Sequence, residues 1–227
     1  DSSAALIPYM ISFQEPFVLL STGTWCISLN PFNHQPLTKD ELDQDCLCYL
    51  HHGGKPVKAS RLFAGIEHDE GVKRISDHFQ QDPLFYRSVD YDPVIITRLQ
   101  KKEGVNTFDS TSDFVFKQRD LNDFTSFEEA YHQLMLDIVR RQVRSTLLVL
   151  TGSPVKRIFV DGGFSKNKIF MNLLAAALPQ FEIYAAFMSQ ATSLGTALAI
   201  HTAWNKNPVP GTLMTFQHYA VPQSMAL

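Results

Sequence analysis

The sequence is poor in cysteine and in excess charge, and it contains no long apolar run. Its three cysteines, Cys26, Cys46 and Cys48, are an odd number, and their spacings fit neither a disulfide framework nor a Cys-x-x-Cys zinc site. The chain has 20 Lys and Arg residues and 23 Asp and Glu residues, so its formal net charge is −3. This charge offers no electrostatic attraction for nucleic acid or anionic lipid. No apolar segment approaches the ~20 residues that a membrane-spanning helix needs. We therefore expect no nucleic-acid partner and no membrane, and the simplest interpretation is a reduced, cytoplasmic protein.

What is present is the residue balance of a folded protein. Hydrophobic residues make up 44% of the chain and charged residues 19%, which is enough apolar surface for a core and too little charge for a disordered tail. A length of 227 residues fits one large α/β domain. The chain opens Asp1-Ser2-Ser3 with neither an initiator Met nor a targeting signal, so we expect it to be a piece of a longer polypeptide.

The first part of the chain predicts two β-hairpins. A polar turn at 21–24 separates apolar strands at 17–20 and 25–29. A second hairpin has strands at 46–51 and 57–63, and the Gly-Gly pair between them supplies the positive φ that a hairpin turn requires.

Apolar residues at helical spacing predict helices at 65–79, 127–150, 165–178 and 192–203. The longest follows the capping-box pattern Thr125-x-x-Glu128, and Ser165 is placed to cap the next one. The long helix also carries Arg140, Arg141 and Arg144, which we interpret as a solvated face or an interdomain contact.

Segment 81–124 carries the weakest signal. Its Asp-Pro pairs interrupt helical patterns, so we expect an irregular insertion in which only 94–96 forms a strand. Beyond it, strands at 157–160 and 182–185 alternate with the last two helices, an order that implies parallel pairing through right-handed crossovers. Together with the hairpins, this order predicts an α/β fold with one mixed sheet flanked by helices.

Three small-residue segments could carry chemistry. Asp161-Gly162-Gly163 lies where a strand ends and a helix begins, which is where open α/β sheets bind ligands and where helix N–H groups are free. The hydroxyl-rich turn at 21–24 can present donors to phosphate oxygens. Gly195 lies inside a predicted helix, which indicates close packing against a neighbour. Taken singly, each segment is explained at least as well by an ordinary tight turn or by helix packing.

Taken jointly, these segments resemble a known family. Asp1-Ser-Ser-Ala-Ala, Ser21-Thr-Gly-Thr-Trp, the Gly53-Gly54 hairpin, Asp161-Gly-Gly-Phe-Ser-x-Asn and Ala191-Thr-x-x-Gly occur in the order seen in the C-terminal domain of FGGY carbohydrate kinases. Within that family the pattern most resembles rhamnulokinase and fuculokinase-like members. The resemblance implies a ribonuclease-H-like, actin-like ATPase fold, in which residues 1–227 are the nucleotide-binding half and the N-terminal domain is absent from this chain.

The resemblance also implies roles for individual residues. Thr22, Gly23 and Thr24 would face the phosphates of ATP. Gly162 and Gly163 would lie against the adenosine, with Asn167 reaching the nucleoside. Mg²⁺ would neutralise the phosphates, and we expect no metal site made by the protein's own side chains.

Asp1 falls where the family places its catalytic base. That carboxylate takes the proton from the attacking sugar hydroxyl during phosphoryl transfer. A first residue is ordinarily frayed and solvated, so the sequence alone gives Asp1 no special role. The chain departs from the family at Gln190, a position that is often acidic, and at 122–125, where the usual Thr-Arg-Gly turn is missing.

The resulting hypothesis is ATP-dependent phosphorylation of a ketose such as L-rhamnulose, L-fuculose or xylulose, by a carbohydrate kinase of which this chain is the ATP-binding half. The isolated domain is expected to be inactive. Its expected partners are the sugar, ATP and the N-terminal kinase domain. A homodimer is compatible with the sequence. The alternative is an actin-like ATP-binding sensor or scaffold without kinase activity. A nicotinamide oxidoreductase is disfavoured because G-x-G-x-x-G is absent.

Overall fold

The computed structural model describes residues 2–103, 115–188, 190–211 and 213–220. The described helices are α1 (Ser2–Ser12), α2 (Lys39–Asp43), α3 (Ala64–Phe79), α4 (Pro93–Glu103), α5 (Phe127–Leu150), α6 (Lys168–Ala177), α7 (Ala191–Ala199) and α8 (His201–Trp204). The described strands are β1 (Phe17–Thr22), β2 (Cys26–Asn30), β3 (Cys46–Leu50), β4 (Pro56–Leu62), β5 (Arg157–Gly162), β6 (Glu182–Phe187) and β7 (Thr215–Tyr219).

The seven strands form one mixed sheet in the order β3-β4-β2-β1-β5-β6-β7. β1 and β2 form an antiparallel hairpin, as do β3 and β4, and β4 joins the two hairpins by pairing with β2. β1, β5 and β6 are mutually parallel, whereas β7 is antiparallel to β6. The predicted mixed sheet and both predicted hairpins are confirmed, and β7 is an additional strand that the sequence pattern did not predict.

The sheet is covered by helices on both faces because the central strands are apolar on both sides. Along β1, Val18 and Leu20 enter the core made with α3, α5 and α6, whereas Phe17 and Leu19 enter the second cluster, which includes Leu6 of α1. Successive side chains of a strand point to opposite faces, so this alternation builds a three-layer α/β arrangement.

The long helix α5 has the predicted bounds, but its cap lies one residue later than expected. The hydroxyl of Ser126 accepts the backbone N–H of Glu129, and the Glu129 carboxylate accepts the backbone N–H of Thr125 at 2.7 Å. α6 is capped by Asn167 rather than by Ser165, because the Asn167 side chain accepts the N–H of Phe170.

The strand predicted at 94–96 is wrong, because these residues belong to α4. Pro93 suits the first position of a helix, and the Asp92 carboxylate accepts the N–H of Val94 at 2.8 Å. Ile96 and Leu99, three residues apart, are buried on one side of this helix. The predicted helix at 192–203 is divided between α7 and α8.

Two of the three arginines on α5 form ion pairs within the domain, one buried and one half-buried, so these two do not form the solvated face that was one of the two expectations. Arg140 is 3% exposed and pairs with Glu103, and Arg141 pairs with Glu67 of α3. These pairs join α5 to α4 and α3.

Within the described ranges, no helix has the length and apolar composition needed to cross a membrane.

Candidate functional site

A pocket of about 680 Å³ opens beside the turn after β1 and the turn after β5. Three segments of the fold meet there: the β1–β2 turn, the β5–α6 turn and the N-terminal part of α3. A further wall comes from the 86–90 segment that precedes α4. The lining residues are Gly23, Thr24, Gly65, His68, Asp69, Tyr86, Arg87, Val89, Asp90, Gly163, Phe164, Lys166, Asn167 and Lys168.

The two adjacent glycines of the β5–α6 turn have different surroundings. Gly162 has φ +91°, and a Cβ there would lie 1.8 Å from the backbone oxygen of Thr22, so only glycine fits where β5 ends beside β1. Gly163 has ordinary helical backbone angles, and a Cβ there would meet no atom within 4 Å. Gly163 therefore exposes bare backbone to the pocket.

Thr22 holds the β5–α6 turn from behind. Its buried hydroxyl donates to the backbone oxygen of Asp161 at 2.5 Å and accepts the N–H of Phe164 at 3.0 Å. The carboxylate of Asp161 accepts the N–H of Gly162 at 2.7 Å, and burial raises its pKa. These contacts fix the shape of the turn without reaching the pocket.

The β1–β2 turn supplies the opposite edge of the pocket through Gly23 and Thr24. Gly65, in the first turn of α3, donates its N–H to the Thr24 oxygen at 3.1 Å, which fastens the turn to that helix. Free N–H groups and the positive end of the dipole lie at the start of a helix, so this end of the pocket favours an anion.

A hydrogen-bond network lies beneath the other wall. The side-chain amide nitrogen of Asn167 lies 2.7 Å from the Tyr131 hydroxyl, which lies 3.1 Å from Nε2 of His68. His68 is 8% exposed and packs edge-on against the rings of Tyr86 and Phe164. Burial lowers the pKa of His68 and outweighs the opposing effect of Asp69, so the imidazole is neutral near neutral pH.

Charged side chains surround the mouth of the pocket. Lys168 and Asp90 form an ion pair at 2.6 Å, and this pairing raises the pKa of Lys168. Arg87, Lys166 and Asp69 also line the pocket. With Lys168 and Asp90, the lining therefore includes three cationic side chains and two carboxylates. In the part of the chain that the structure describes, no group of three or more His, Cys, Asp or Glu side chains is placed to hold a metal ion.

Four of the seven residues selected from the sequence line this pocket: Gly23, Thr24, Gly163 and Asn167. Thr22 and Gly162 lie directly behind it, and Asp1 is outside the described residues. The sequence reasoning missed the α3 residues Gly65, His68 and Asp69. The Ala64-Gly65 pair that opens α3, immediately after the second hairpin, could have indicated Gly65, whereas no local pattern marks His68 or Asp69.

This architecture defines the fold class of the chain: a mixed seven-stranded sheet flanked by helices, which is the ribonuclease-H-like (actin-like ATPase) fold. The family follows from the sequence. The model of the family described as "Carbohydrate kinase FGGY, C-terminal domain" matches residues 14–208. The chain therefore belongs to this family. No curated protein is similar enough in sequence to match the chain.

Solved structures share the fold at low sequence identity. A ligand-bound xylulose kinase from Lactobacillus acidophilus superposes with TM-score 0.67 at 14% identity, over 98% of this chain and 46% of its own. A carbohydrate kinase from Novosphingobium aromaticivorans superposes with TM-score 0.64 at 19% identity, over 97% of this chain and 47% of its own. A gluconate kinase from Lactobacillus acidophilus superposes with TM-score 0.64 at 15% identity, over 92% of this chain and 44% of its own. The chain thus spans about half the length of these proteins.

Proposed function

We propose that this chain is the nucleotide-binding half of an ATP-dependent carbohydrate kinase. The observation that carries the proposal is the bare backbone of Gly163 facing an open pocket, within a segment that matches the FGGY family. A flat nucleoside can lie directly on such a surface because no Cβ intervenes. The proposal extends to the domain arrangement, in which a separate N-terminal half completes the cleft.

Features of the pocket support ATP as its ligand. The nucleoside would lie on Gly163, between the aromatic wall of His68 and the start of α6. The triphosphate would extend toward Gly23 and Thr24, where the N-terminus of α3 favours negative charge. Mg²⁺ is usually held by substrate phosphates together with one or two carboxylates, so in this proposal the metal arrives with the nucleotide. Its role when bound is to neutralise the charge of the phosphates.

In this proposal the γ-phosphoryl group passes from ATP to a sugar hydroxyl. The Asp1 carboxylate accepts the proton of that hydroxyl as the oxygen attacks phosphorus, and ADP leaves. We predict that Asp1→Asn in the full-length polypeptide lowers kcat by at least about 100-fold, the scale of general-base catalysis, while the Kd for ATP changes less than about threefold. Retained turnover would eliminate Asp1 as the base.

The acceptor we propose is a ketose of the rhamnulose, fuculose or xylulose type. The sequence resemblance favours rhamnulokinase and fuculokinase relatives, and the solved structures above include a xylulose kinase and a gluconate kinase. The test is ADP release by the full-length polypeptide with a panel of L-rhamnulose, L-fuculose, D-xylulose and gluconate. Turnover with one of the ketoses supports the proposal, and turnover with gluconate alone would redirect it to a sugar acid.

The same assay separates a kinase from an ATP-binding sensor or scaffold. A sensor binds ATP but shows no increase in ADP release with any sugar. The 227-residue chain alone should bind ATP without phosphorylating a sugar, because the proposal assigns most sugar contacts to the N-terminal half.

A further inference from the structure

Tyr131 of α5 lies behind the pocket and joins two of its walls. The side chain is fully buried, and it does not line the pocket itself. Its hydroxyl lies 2.7 Å from the side-chain nitrogen of Asn167, at the start of α6, and 3.1 Å from Nε2 of His68 in α3. One oxygen atom therefore contacts a residue from each wall.

The direction of each hydrogen bond follows from the groups present. The Asn167 oxygen accepts the N–H of Phe170 at 3.0 Å, which leaves the amide nitrogen facing Tyr131 as a donor. Tyr131 accepts that hydrogen bond, so its own proton points to Nε2 of His68. The proton of the neutral imidazole is then on Nδ1, which lies 3.3 Å from the Asp69 carboxylate.

The protonation states agree with this chain of donors. Burial raises the pKa of the Tyr131 hydroxyl and lowers the pKa of His68, so both groups are neutral near neutral pH. Every donor from Asn167 through Tyr131 and His68 to Asp69 points the same way, and Asn167, His68 and Asp69 all line the pocket.

We propose that Tyr131 is a positioning residue for the nucleotide, acting through Asn167 and His68. Its hydroxyl sets the distance between the α3 wall and the β5–α6 turn, and it fixes the rotamers of both pocket residues. This inference rests on the proposed nucleotide site. The Tyr131 ring also packs at 5.6 Å from the Tyr86 ring and at 6.2 Å from the Phe127 ring, contacts that do not involve the hydroxyl.

The separation of ring and hydroxyl makes Tyr131→Phe the informative variant. The phenylalanine ring keeps the packing, whereas Asn167 and His68 both lose their shared partner. We expect the Kd of the 227-residue chain for ATP to rise about tenfold, because Asn167 and His68 are no longer held in place and must be ordered when ATP binds; the scale is that of one hydrogen bond's net contribution. In the full-length polypeptide, KM for ATP should rise by a similar factor with kcat within twofold, because the reacting phosphate end is unchanged.

The matched control is Tyr184→Phe, which removes the same atom from a β6 side chain whose hydroxyl binds Glu182. It should leave both constants unchanged. The melting temperature of each variant is first measured without nucleotide. The ATP titrations are then done at a temperature at which all variants are folded. A Tyr131→Phe variant with wild-type KM for ATP, or with lower kcat at unchanged KM, overturns the inference.

The outcome also distinguishes this inference from the proposed function. If wild-type protein binds ATP and Gly163→Val does not, while Tyr131→Phe binds as wild type, the nucleotide site stands and the role of Tyr131 is refuted. If the wild-type chain binds no ATP, the proposed function fails and the inference fails with it.

Discussion

The Gly163→Val variant is expected to weaken ligand binding without disturbing the fold, because Gly163 lines the pocket. In the free protein the new Cβ meets no atom within 4 Å, and the backbone angles of φ −63° and ψ −47° suit any L-residue. The change should therefore alter the free energy of unfolding by less than about 1 kcal/mol. The isopropyl group instead occupies the space where the nucleoside would lie.

The expected loss of affinity follows from the contact that the valine displaces. Stacking of one nucleobase on an aromatic side chain contributes about 1–3 kcal/mol, and we use the same range for a nucleobase packed on the Gly163 backbone. This range corresponds to roughly 5- to 150-fold in Kd. We expect Gly163→Val to weaken ATP binding by at least about fivefold.

The assay is isothermal titration calorimetry of the 227-residue chain with ATP and Mg²⁺. Gly211→Val is the matched control, because a Cβ at Gly211 also meets open space and Gly211 does not line the pocket. Gly211→Val should bind ATP as wild type does. Equal affinities of wild type, Gly163→Val and Gly211→Val would refute the placement of the nucleotide.

Three further predictions concern stability. Thr22→Val removes a buried donor and acceptor behind the β5–α6 turn and should cost about 1–3 kcal/mol in urea unfolding; an unchanged midpoint would show that the hydroxyl does not hold the turn. Gly195→Ala places a Cβ 1.8 Å from the Ala4 oxygen, so α1 and α7 must separate at a cost of about 1–3 kcal/mol; a melting temperature equal to wild type would refute this close contact. Burial lowers the pKa of His68 and His132, so the unfolded state binds protons more readily than the folded state. The urea midpoint should therefore fall as pH drops below about 6.5. A midpoint that does not change down to about pH 5.5 would contradict this prediction.

The parts of the fold that depend on local pattern could be predicted from the sequence. The two hairpins and α5 follow from alternating or helical apolar spacing, so the prediction of the 127–150 helix matches the structure. The strand predicted at 94–96 is wrong because a short β-branched run suits a strand as well as a buried helix turn. The deciding signals were Asp92 as a cap and the spacing of Ile96 and Leu99.

The candidate site was partly predictable for the same reason. Gly163 and Thr24 lie in contiguous turns with recognisable composition, so a motif finds them. His68 and Tyr131 are ordinary helix residues that meet the β5–α6 turn only through tertiary packing, and no local spacing marks them. The different roles of Gly162 and Gly163 also depend on β1 lying beside β5, which the order of residues alone does not show.

The proposed nucleotide site is tested most directly by hydrogen exchange of the 227-residue chain with and without ATP and Mg²⁺. ATP should slow exchange at three separate segments, 161–168, 22–24 and 64–69, because they form the pocket together. Protection by ATP at other segments with none at 161–168, or no protection at saturating ATP, would contradict the proposal that this chain is a nucleotide-binding kinase half.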